Sequence, residues 1–233
     1  MLRTLLVVLP LTVLLASTAL LIMIPFTWVL GDDRPIFAVA RLVLRVLLWA
    51  AGVKIETQGP DPRGAPQPCV YLPNHVSNLD PPVVFLFLRN AVMLGKEAVF
   101  RLPLFGYAIK MVGFVPVQRH RKDSRREALE GAIERLRQGR SMVVFPEGTR
   151  TPDGSLLPFR PGPFTMAIET QAPIVPITIL GAREIMAKGQ NWIRPGRVKL
   201  VFHEPIPTAG LGPGDRERLM ARARAAIASA LPR

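Results

Sequence analysis

A chain of 233 residues is long enough for one catalytic domain with an appendage. Its net charge of +13 calls for an anionic partner, and with aromatic residues at 7% and no recognised nucleic-acid motif, an anionic bilayer or a phosphorylated substrate fits better than nucleic acid. One cysteine, Cys69, excludes an internal disulfide and fits a reducing compartment, while His75, His120 and His203 lack metal-ligand spacing, so no metal is expected.

Apolar residues make up 49% of the chain and the mean hydropathy is +0.26, which points toward membrane association. Residues 5–30 carry no charge, a stretch long enough to span a bilayer where about 20 apolar residues suffice, although Pro10 and Pro25 interrupt it. A cleaved signal peptide fits less well, because Arg3 alone forms the basic leader and the apolar run is too long. Gly31 to Pro35 makes a turn, and residues 36–52 read as a second helix with Arg41 and Arg45 one turn apart on a single face. Those arginines suit an interfacial helix whose long side chains reach the headgroups. Residues 1–52 therefore read as a membrane-anchoring helical hairpin; a single span followed by a domain helix is the alternative. Residues 1–53 hold four arginines against two aspartates, a net +2, so +11 of the total +13 falls on the domain at 53–233.

In that domain, residues 54–68 are rich in Pro and Gly and read as a short strand and a loop. Residues 69–72 form an apolar strand leading into Asn74-His75-Val76-Ser77-Asn78-Leu79-Asp80. A tight loop can bring His75 and Asp80 together: a neutral imidazole takes a proton from a hydroxyl, and a carboxylate on its other nitrogen fixes the tautomer. The spacing leaves a second reading open, because Asp80 before Pro81 also suits a helix N-cap. Helix is expected over 82–89, a short strand at 91–94 ending at Gly95-Lys96, and an amphipathic helix over 124–138 with Leu129, Ile133 and Leu136 on one stripe. Residues 141–145 look like a buried strand, 163–170 a helix, 173–180 and 197–202 strands, and 215–231 a charged terminal helix. Strands alternating with helices imply an α/β domain built on a mostly covered, mixed sheet.

The sequence also contains, in order, Gly113-Phe114-Val115-Pro116-Val117-Gln118-Arg119, Phe145-Pro146-Glu147-Gly148-Thr149-Arg150 and Val175-Pro176-Ile177. With the His-x4-Asp loop, these four blocks resemble the glycerolipid acyltransferase family, and most closely the 1-acyl-glycerol-3-phosphate acyltransferases, from about residue 53 to about residue 206. The resemblance implies transfer of a fatty acyl group from acyl-CoA or acyl-ACP to the 2-hydroxyl of 1-acyl-glycerol-3-phosphate (lysophosphatidic acid), giving phosphatidic acid. It implies no cofactor beyond that co-substrate, membrane phospholipids as partners, and a catalytic domain on the cytoplasmic face of a bacterial inner membrane. Rival readings are an acyltransferase for another lyso-lipid, such as a lyso-ornithine lipid, and a non-catalytic basic protein that binds anionic lipid.

Acyl transfer from a thioester needs a base, and no protein nucleophile is evident. His75 is the expected base and Asp80 its orienting partner, with Asn74 bracing the loop. Arg119 and Arg150 are expected to grip phosphate, since guanidinium groups pair with phosphate in bidentate fashion. Gly148 lets the backbone turn sharply or approach a ligand, and Pro146 and Thr149 set the shape of the loop. By resemblance, Glu147 positions the glycerol moiety, with an ion pair to Arg150 as its structural alternative. Lys96 and Arg160 are further anion contacts by resemblance, Arg160 standing in Phe159-Arg160-Pro161-Gly162 where the family has Phe-Lys-x-Gly. The family's usual glutamate position holds Ala98, with Glu97 one place early.

Overall fold

Three apolar runs free of charge, Val70–Pro73, Ser141–Val143 and Ile174–Leu180, become strands covered on both faces. Continuous apolar runs of this kind belong to the middle of a parallel sheet with helices above and below. A computed structural model of the chain describes residues 34–232 except 89, 103, 104, 112, 119 and 191, together with isolated positions between 10 and 29. Helix α1 (Arg34–Ala50) leads into β1 (Val53–Gln58), β2 (Val70–Pro73), α2 (Asp80–Phe85) and β3 (Ala91–Lys96). Two short helices, α3 (Glu97–Phe100) and α4 (Phe105–Met111), precede β4 (Val115–Val117). Then come α5 (Lys122–Arg137), β5 (Ser141–Val143), α6 (Gly162–Thr170), β6 (Ile174–Leu180), α7 (Ala182–Ile185), β7 (Gly196–Phe202) and α8 (Arg216–Ser229).

The seven strands form one mixed sheet in the order β1-β7-β6-β2-β5-β3-β4. Strands β2, β3, β4, β5 and β6 run parallel; β7 is antiparallel to β6 and carries β1 parallel to itself. The two sheet edges are β1, with exposed Lys54 and Glu56, and the three-residue β4, with exposed Pro116. On α5 the buried stripe is Ala128, Ala132, Ile133 and Leu136, with Leu129 packed at its margin. Small residues at 128 and 132 let this helix lie close to the sheet.

Helix α1 contributes Ile36, Phe37 and Leu48 to the core that the sheet shares, and Phe37 stacks on Phe85 of α2 at 5.7 Å between centroids. The expected first arm of the hairpin, residues 5–30, lies mostly outside the described residues. No helix among the described residues is long and apolar enough to cross a membrane. Helix α2 is shorter than the expected 82–89: it ends at Phe85, and Asn90, at φ +50°, turns the chain into β3. The short elements α3, α4 and α7 have too few residues for a periodic apolar pattern and were not expected.

Parallel pairing is what gathers the motifs. Five parallel strands deliver their carboxyl ends to one side, so the segments after β2, β3 and β5 emerge together, and ligand sites of open α/β sheets sit at such ends. His75 follows β2, Lys96 ends β3, and Glu147 to Arg150 follow β5, which pairs directly with β2.

Candidate active site

His75 lies in a loop that its neighbours hold from four directions. Its Nδ1 is 2.8 Å from Asp80 Oδ2, its N–H donates to Glu147 Oε1 at 2.7 Å, and its carbonyl accepts from Thr151 N–H at 3.0 Å. The imidazole stacks on Phe145, with centroids 4.1 Å apart and planes at 28°. Nε2 hydrogen-bonds to none of the described residues, which leaves it as the nitrogen for a reacting group.

Asp80 begins α2, but its side chain does not cap that helix. Oδ2 curls back and accepts three bonds, from His75 Nδ1 and from the N–H groups of Val76 and Ser77 at 2.7 Å each. Three donors on one oxygen fix the carboxylate and, through it, the imidazole. Burial pushes the Asp80 carboxyl above its ordinary range, and these donors, the imidazole first, pull against that shift. Ser77 ties the loop to the segment after α7, donating from Oγ to the Met186 carbonyl at 2.6 Å while accepting from Leu79 N–H.

Asn74 is buried and bonds to β6 with both ends of its amide, to the Ile179 carbonyl at 3.2 Å and from the Ile179 N–H at 2.6 Å. Glu147 is 2% exposed and faces inward: Oε1 accepts from His75 N–H and Oε2 from Leu157 N–H at 3.0 Å. It makes no ion pair with Arg150. Burial is the main cause that raises its pKa, and the nearby Asp80 charge adds to it. Gly148 has φ +70°, a left-handed backbone that disfavours side chains, and the Arg160 stem lies over its Cα face. Pro146 is buried and its carbonyl accepts from Arg160 N–H at 2.7 Å; Thr149 and the Arg160 side chain are exposed.

Arg150 is partly buried, and its Nη1 is shielded from solvent without a hydrogen-bond partner among the described residues. A guanidinium nitrogen left without a partner in this way suits an anion. Lys188 Nζ donates to the Arg150 carbonyl at 3.1 Å, which fastens this block to the segment after α7. Lys96 is exposed at the end of β3, on the same side of the sheet. Pro176 is buried within β6, paired in register with Leu72, so it belongs to the sheet and not to the cluster at its ends. Arg119 lies outside the described residues.

Cys69 is fully buried at the start of β2, and burial pushes its thiol up to about 11, which suits packing and not nucleophilic attack. Among the described residues no His, Cys, Asp or Glu cluster could hold a metal. Sequence reasoning missed the Phe145 stack, the Ser77 and Lys188 ties, and the inward turn of Glu147. Each depends on which strands pair, and no single stretch of sequence encodes that.

A histidine–aspartate pair at the carboxyl end of a central strand, with an inward glutamate on the histidine's main chain, makes a base-and-carboxylate site on an α/β sheet. Residues 54–180 match the Acyltransferase family model, and the chain belongs to that family. It is similar to 1-acyl-sn-glycerol-3-phosphate acyltransferase BAT2, chloroplastic, of Brassica napus, with 39% identity over 140 residues, 60% of this chain and 41% of that protein. With 1-acyl-sn-glycerol-3-phosphate acyltransferase alpha of Homo sapiens the identity is 32% over 203 residues, 86% of this chain and 72% of that protein. The chain thus spans only about two-fifths of the length of the plant chloroplast relatives it matches. In fold it matches the crystal structure of the 1-acyl-sn-glycerophosphate (LPA) acyltransferase PlsC from Thermotoga maritima, with a TM-score of 0.79 over 97% of this chain and 95% of that one, at 24% identity.

Proposed function

We propose that the protein transfers a fatty acyl group from an acyl thioester to the 2-hydroxyl of 1-acyl-glycerol-3-phosphate, forming phosphatidic acid. The observation that carries this reading is the His75–Asp80 pair at 2.8 Å, with Nε2 left for an incoming hydroxyl. In the proposed reaction His75 Nε2 takes the hydroxyl proton as the alkoxide oxygen bonds to the thioester carbonyl carbon. The tetrahedral adduct then expels the thiolate, which takes the proton back from the imidazolium. Asp80 holds the Nδ1–H tautomer and steadies the imidazolium; such a base is worth about 10²–10⁴-fold in rate. Arg150, with its unpaired Nη1, takes the acceptor's phosphate, and Lys96, Arg119 and Arg160 are further cations for anionic groups.

The protein works at a membrane in this reading, with its catalytic domain on the cytoplasmic face. Support comes from apolar side chains that face outward at Leu14, Leu21, Ile22 and Val29, and on α1 at Leu42 and Trp49, the last 79% exposed. Arg45 shares the outer face of α1 with them, an arrangement that suits a headgroup layer.

The test incubates purified protein with lysophosphatidate, lyso-ornithine lipid, lysophosphatidylcholine and monoacylglycerol, each with acyl-CoA and with acyl-ACP. Thiol release and product mass are followed. Phosphatidate formed in preference to every other product supports the reading. Preferred acylation of another lyso-lipid, or binding of anionic vesicles without thiol release, overturns it.

A further inference from the structure

Helix α8 lies beyond the residues 54–180 that match the family model, yet hydrogen bonds connect it to His75. Arg224 on α8 donates from Nη1 to the Leu157 carbonyl at 2.7 Å and from Nη2 to the Leu156 carbonyl at 2.8 Å, and its guanidinium lies 5.4 Å from the Phe159 ring centroid. The peptide group that ends in the Leu156 carbonyl carries the Leu157 N–H at its other end, and that N–H donates to Glu147 Oε2 at 3.0 Å. Glu147 Oε1 in turn accepts the His75 N–H at 2.7 Å. One peptide is therefore polarised between a cation and a carboxylate, and bonds aligned in this way reinforce one another.

We propose that Glu147 is a positioning residue for His75 and that Arg224 holds it in place through residues 156 and 157, making α8 part of the catalytic apparatus. The proposal rests on the reading of His75 as the base. A glutamate that touched substrate would turn an oxygen toward solvent. This one is buried and gives each oxygen to a main-chain N–H, one from the catalytic loop and one from the segment that Arg224 grips. A neutral glutamine cannot replace it, since its NH₂ would face one of those two N–H donors. Asp80 fixes the imidazole at Nδ1, Glu147 fixes the His75 backbone, and Arg224 lies behind Glu147.

The test uses the full chain in detergent, with folding checked by thermal melts. Imidazole signals are recorded by NMR at one fixed pH, and the His75 signal is assigned by its loss in His75→Ala. Glu147→Gln is expected to move the His75 imidazole signal, and to cut kcat by about 10- to 100-fold while KM for lysophosphatidate moves less than about threefold, the pattern of a displaced base and not of a lost substrate contact. Arg224→Lys keeps the charge but cannot fork across two carbonyls, so kcat should fall by roughly severalfold at constant KM. If Glu147→Gln does not fold, Arg224→Lys decides the question by the same readouts. An unmoved His75 signal overturns the proposal, as does a raised KM with intact kcat. The imidazole signal needs no substrate, so it decides this inference even where lysophosphatidate proves not to be the acceptor.

Discussion

Asn74 and Ile179, 105 residues apart in the chain, exchange two hydrogen bonds as one peptide would with another. The side chain thereby extends the β2–β6 pairing by one position and fixes where the His75 loop leaves the sheet. Asn74→Ala would strip both buried groups of Ile179 of their partners, at about 1–3 kcal/mol for each group left unpaired. Urea denaturation should show that loss, and turnover should fall with it. Asn74→Asp keeps the acceptor but sets a carboxylate oxygen against the Ile179 carbonyl, so it should rescue stability only in part.

His75→Ala is expected to remove turnover by about 10²–10⁴-fold while leaving lyso-lipid binding largely intact. Asp80→Asn should be milder, because it removes charge and places an NH₂ where Oδ1 now has no partner, yet leaves an oxygen for the three donors. Single-turnover kinetics and equilibrium binding to lyso-lipid micelles separate the two effects. Near-normal turnover by His75→Ala would eliminate the mechanism.

Arg150→Ala should raise KM for lysophosphatidate by roughly 10- to 150-fold, the equivalent of about 1.5–3 kcal/mol for one charge-assisted contact. Arg150→Lys should recover part of it, since charge survives while the fork does not. Monoacylglycerol, which lacks the phosphate, is the control: wild type and Arg150→Ala should use it equally poorly. Equal damage to both acceptors would make Arg150 a structural residue of its loop.

His203 has a structural part that shows in the pH dependence of stability. Thr178 Oγ1 donates to the Ile227 carbonyl at 2.8 Å, so it accepts from His203 Nε2–H at 2.8 Å, and this joins β6, α8 and the residue after β7. Burial holds the His203 pKa below the ordinary imidazole value. The unfolded chain then binds more protons between the folded value and about 6.5, so stability falls as pH drops through that interval and levels off below it. Urea midpoints at a series of pH values should show this slope, and His203→Gln should flatten it.

What could be read in the sequence was local. The His75–Asp80 spacing closes within one turn of chain, and the strands at 70–73 and 174–180 announce themselves as uncharged apolar runs. The stripe of α5 could be read as well, although Ala128 and Ala132 proved as central to it as the larger residues. The direction in which Glu147 faces could not be read, because its partners are His75, 72 residues earlier, and Leu157. Nor could the clamp from Arg224, which looks like one more charge on a polar terminal helix until α8 is laid against residues 156–159. A sheet order of β6-β2-β5 sets these distances, and only folding supplies it.

The two outer strands of the sheet bear on how copies of this protein meet one another. An unprotected edge offers a row of free N–H and C=O groups to any neighbouring chain. At one edge Pro116 removes a donor from the middle of a strand only three residues long, and such a strand makes a poor template. At the other, Lys54 and Glu56 stand along β1, with Glu56 held by Arg197 of β7 at 2.9 Å. Crowded side by side, such molecules resist joining sheet to sheet into fibres.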